Sequence, residues 1–188
     1  ATSIKYHYNS LIFFYAQVCP TMLMSYHELL FLKAEALARL NKTAEAEAAL
    51  KEAVVAAIAN AEMGLKGAFK APTVAGYGGI EETTEAITEK EAEEYFDKNV
   101  KPLFTANPLR EVMIQKYLAM LGAFGESTEC YNDIRRMKAL KEDFVKLSNP
   151  KPFPHRAPYG DSDVLANPKV KAAYGDGQYV YSEPVWWA

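Results

Sequence analysis

Cysteine is scarce: Cys19 and Cys130 are the two in 188 residues, far apart and outside any CxxC or zinc-finger spacing, so neither a disulfide framework nor a thiolate metal site is indicated. Histidine is almost as rare, with His7, His27 and His155 widely separated, which leaves no cluster to bind a metal or to activate a nucleophile. No G-x-G-x-x-G, Walker loop, H-E-x-x-H or G-x-S-x-G pattern occurs, so none of the common nucleotide, metalloprotease or hydrolase machinery is visible. Positive charge is also lacking. With 21 basic against 24 acidic residues the net charge is -3, too little cationic field to displace counterions from a nucleic acid. Long apolar runs are missing as well. Leu11 to Ala16 is too short to span a bilayer, and branched Val18 before Cys19 argues against a lipoprotein cleavage site there. With Pro20 behind it, this stretch is expected to be extended.

What is present is the balance of a globular protein, 49% apolar and 24% charged. One core is expected at this length. From Met22 to Leu40, apolar residues at Leu23, Tyr26, Leu30, Ala34, Leu37 and Ala38 predict an amphipathic helix, with Glu28, Lys33, Glu35 and Arg39 mostly on the other side. Asn41-Lys42 breaks it. Thr43 is the expected N-cap of a second helix running to about Met63 with Ala44, Ala48, Ala53, Val54, Ala57 and Ile58 inward. A short connection and many alanines predict a close antiparallel hairpin of tetratricopeptide type, a single unit that needs neighbours to bury its face.

Gly64 is expected to end the hairpin, followed by a loop through Gly79 that carries Phe69 and Tyr77 among glycines. Thr88-Glu89-Lys90-Glu91 has the capping-box pattern and predicts a helix to about Lys98. Asn107-Pro108 predicts another, ending at Gly122 or Gly125, and a further short one spans about Glu126 to Met137 with Tyr131, Ile134 and Met137 on one side. After Ser148 the prolines at 150, 152, 154, 158, 168 and 184 predict an extended tail, helix being excluded over most of it. The fold class is mainly α: a tetratricopeptide-like hairpin, further helices and a Pro/aromatic-rich C-terminal tail.

Chemistry has few candidates. The carboxylates Glu45, Glu47, Glu81, Glu82, Glu91, Glu93 and Glu94 fall on helix surfaces or loops near lysines, and nothing sets one apart as the buried acid a glycosidase needs. His27 reads as a half-exposed helix histidine. Asp133, Arg135 and Arg136 beside Tyr131 could bind a ligand, but a structural tie to backbone carbonyls is the readier use. The terminal Trp186-Trp187 could stack on a sugar and more readily seals the tail. No catalytic and no metal-ligating residue is assigned, and no cofactor is expected.

Five stretches in order bear a family likeness: Pro20 to Ala36 (PTMLMSYHELLFLKAEA), Ile114 to Met120 (IQKYLAM), Glu129 to Arg136 (ECYNDIRR), Phe153 to Tyr159 with Asn167-Pro168, and the closing Pro184-Val185-Trp186-Trp187. Together they resemble the C-terminal portion of SusD/RagB proteins. Cys130, Ile134 and His27 depart from the usual small or aromatic residues at packing positions. The resemblance implies a helical, non-catalytic protein, lipid-anchored on the outer membrane and facing outward, that captures an oligosaccharide for a SusC-type TonB-dependent transporter. It also implies that residues 1–188 form the C-terminal part of one SusD-like domain, whose N-terminal part is a further partner and carries the anchor. Binding residues do not carry over by motif. The loop pair Phe69 and Tyr77 is the expected glycan-stacking element. The alternative is a tetratricopeptide-like scaffold for another protein.

Overall fold

In the computed structural model the described residues are 23–70, 85–120, 128–148, 152–175, 181 and 184. Ser25 opens the first helix, α1 (Tyr26–Arg39), its Oγ accepting the Glu28 amide at 3.2 Å. A Schellman turn closes it. Asn41 takes the left-handed conformation at φ 58°, the Lys42 amide donates to Leu37 O at 2.9 Å, and the Asn41 amide donates to Ala38 O at 3.1 Å. Asparagine tolerates that conformation better than most residues, which is why three residues suffice to reverse the chain into α2 (Thr43–Phe69).

Thr43 was expected to cap α2, but it is the first helical residue; Lys42 occupies the cap and makes no side-chain cap bond. The helix buries Ala46, Ala49, Leu50, Ala53 and Val54, a stripe at intervals of three and four that packs on Leu30, Phe31 and Ala34 of α1. Ala44 and Ala48, expected inward, are exposed. The helix also passes through Gly64 and on to Phe69. Gly64 is buried within it, so the glycine is carried inside the helix at a modest propensity cost and does not stop the chain.

The capping box forms as the sequence predicts: Thr88 Oγ1 accepts the Glu91 amide at 3.2 Å, and Glu91 accepts the Thr88 amide at 2.8 Å. It starts α3 (Glu89–Tyr95), which continues past the expected end at Lys98 through a π-helical turn, Phe96–Val100, into α4 (Lys101–Ala106). Pro102 explains the wider turn. Its ring crowds the carbonyl four residues back, and the Lys101 amide reaches Phe96 O, five residues back. Phe96, Val100 and Phe104 thereby share one buried line that joins the hairpin core.

Asn107 Oδ1 accepts the Arg110 amide at 3.1 Å and starts α5 (Pro108–Ala119), again as predicted. α6 (Thr128–Ala139) buries Ile134 and Met137 and ends in a second Schellman turn, with Lys141 at φ 59° and the Glu142 amide on Met137 O at 2.8 Å. A lysine pays steric strain in that conformation. Lys141→Gly is therefore expected to raise stability by about 1 kcal/mol, measured as a higher urea midpoint with an unchanged slope; a lower midpoint would mean the lysine contributes something the turn geometry does not show.

Residues 147–188 form a second unit. There α7 (Asp161–Ala166) and α8 (Pro168–Tyr174) are helical, so the expected exclusion of helix holds for 152–160 but not for 161–174. Asn167 caps α8, accepting the Lys169 and Val170 amides at 3.1 and 3.4 Å, and Pro168 at the first helical position costs no needed donor. Arg156 lies over the Tyr159 ring at 5.0 Å. The expected strands before residue 22, and the ring pair Trp186-Trp187, lie outside the described residues.

Candidate functional site

Glu28 and Glu35 are seven residues apart, two turns of α1, so they share one face, and both are buried instead of lying on the solvent side. Tyr26 and Leu23, expected inward, are the exposed ones, at 61% and 92%. The reason is that α1 has two packing faces. Phe31 and Ala34 meet the hydrophobic core, and the carboxylates meet a charged cleft of about 440 Å³ lined also by Lys116 and Arg136.

Within that cleft the charges alternate in a chain. Lys116 Nζ donates to Asp133 Oδ2 at 2.8 Å, and Arg136 Nη2 donates to Asp133 Oδ1 at 2.7 Å. Arg136 also grips Glu35 with both terminal nitrogens, the Nη2 bond to Oε2 being 2.8 Å. Arg39 Nε donates to Glu35 Oε1 at 2.8 Å, and its Nη1 and Nη2 reach the two oxygens of Glu142 at 2.9 Å each. The Schellman turn after α6 is what presents Glu142 there. Three cations thus offset three carboxylates. The side chains of Lys116 and Glu35 are only 2% and 6% exposed, so these ions are tolerable because each is paired and hydrogen-bonded.

Burial pushes the Glu35 carboxyl up, but the hydrogen bonds and charges of Arg136 and Arg39 outweigh it and hold it below the usual carboxylate value. Arg136 is shifted still further toward its charged form, chiefly by its hydrogen bond to Glu35. The sign follows from linkage: a depressed carboxyl contributes stability fully above its unfolded value, near 4.5, and loses it as pH falls through the folded value. Melting temperature is therefore expected to fall more steeply below pH 4.5 in the wild type than in Glu35→Gln; parallel profiles would contradict the pairing.

The sequence singled out Asp133, Arg135, Arg136 and Tyr131 together, and the structure divides them. Asp133 and Arg136 join the ion chain, so the structural use holds, although the arginine ties carboxylates and not backbone carbonyls. Arg135 lies 5.5 Å over the Tyr131 ring. His27 is buried at 2% exposure, not half-exposed, with Ser25 Oγ 3.2 Å from Nε2. The Cys130 thiol is pushed up by burial, which makes it a poor nucleophile. Glu111, 1% exposed, accepts from Gln115 Nε2 at 2.8 Å through one oxygen, and its Oε2 has no hydrogen-bond partner among the described residues.

Phe69 is placed as the last residue of α2 and is half-buried, so it is helical and not part of a loop; Tyr77 lies outside the described residues. Two apolar hollows lie elsewhere. One, about 570 Å³, lies between α2, α3 and α5 with Tyr95, Glu91 and Gln115 on its lining; a second, about 400 Å³, holds Tyr26, Glu52 and Glu89. Sequence reasoning missed both tyrosines, because Tyr26 was assigned to the core and Tyr95 sits in a run of surface glutamates.

Among the described residues no group of three or more His, Cys, Asp or Glu is placed to hold a metal ion, and no helix is long and apolar enough to cross a membrane. The helical hairpin and the helices packed on it define a mainly α, tetratricopeptide-like protein. No family profile matches the chain, and no curated protein matches it. Among solved structures, a SusD/RagB family protein from Bacteroides thetaiotaomicron is 61% identical, superposes with a TM-score of 0.76, and is matched over 92% of this chain and 36% of its own. The chain belongs to the SusD/RagB family. It spans about a third of the length of that relative.

Proposed function

We propose that this chain is the C-terminal part of a non-catalytic, outward-facing outer-membrane protein that binds an oligosaccharide and delivers it to a SusC-type TonB-dependent transporter. The N-terminal part of the same protein would complete the domain and carry the lipid anchor. The observation that carries this reading is the 61% identity to a SusD/RagB protein along 92% of the chain. The charged cleft supports a binding role over hydrolysis. A glycosidase needs one carboxyl held protonated and a second ionised, whereas Glu35, Asp133 and Glu142 are each paired with a cation and Glu35 is held below its usual range.

Phe69 and Tyr77 are proposed as stacking residues for a sugar ring. Tyr77→Ala in the full-length protein is expected to weaken glycan binding about tenfold, or about 1.4 kcal/mol, with unchanged melting, as measured by calorimetry. Unchanged affinity removes Tyr77 from the site. The scaffold alternative rests on the single α1–α2 hairpin and predicts a protein ligand for it.

A further inference from the structure

We draw no further inference here: the strongest candidate, the apolar hollow between α2, α3 and α5 lined by Phe31, Ile58, Ile87 and Tyr95, carries nothing because nothing in the structure shows what covers that face.

Discussion

Asp133→Ala is expected to destabilise the helical unit by about 3–5 kcal/mol, the cost typical of stranding one member of a buried ion pair. Asp133 is the only carboxylate paired with Lys116 among the described residues, and the Lys116 side chain is 2% exposed. Its loss would leave an ammonium in the interior with no counter-charge and would remove one of the two anions held by Arg136. The apolar double variant Lys116→Met/Asp133→Leu discriminates between pairing and packing. If the aspartate matters because it neutralises the lysine, the double variant should lie well above Asp133→Ala in urea midpoint, since an apolar pair of similar size often replaces a buried ion pair at little cost. A single-variant loss below about 1 kcal/mol would place the pair with ordinary surface bridges.

Phe31→Ala is the second large effect, expected to cost about 3–5 kcal/mol. The ring is 0% exposed and lies where the hairpin stripe of α1 meets Val54 of α2, while one part of it floors the larger apolar hollow. Truncation removes the buried ring and leaves a void that helices tied by Schellman turns and ion pairs relax only partly to fill. The measurement is the same urea titration, with far-ultraviolet circular dichroism confirming that the variant retains its helices. A loss under about 1.5 kcal/mol would mean that the ring's removal is absorbed by collapse of the adjacent hollow.

What the sequence made legible is what local rules govern. The capping box at Thr88 and Glu91 and the Asn107-Pro108 start are decided within four residues, and both stand where expected. Gly64 misled because a glycine marks either a stop or a close approach, and the sequence does not say which of these a helix will use. Asn167-Pro168 carries the same signal as Asn107-Pro108, but the surrounding prolines outweighed it. Neither the Glu35–Arg136 pair, 101 residues apart, nor the Arg39–Glu142 pair, 103 apart, leaves any local trace. Lys116 reads as a surface lysine between Gln115 and Tyr117, and only the neighbouring helix reveals that it is buried. The two apolar hollows are equally non-local, since Tyr26 and Tyr95 lie on different helices and line separate hollows that both include Ile87.

Capture of a glycan without its conversion is open to one decisive experiment, a calorimetric titration followed by product analysis. The full-length protein should show saturable binding to at least one bacterial, plant or host polysaccharide, with the glycan recovered at unchanged chain length after prolonged incubation. Shortened products from the purified protein, or no binding across the panel, would contradict it.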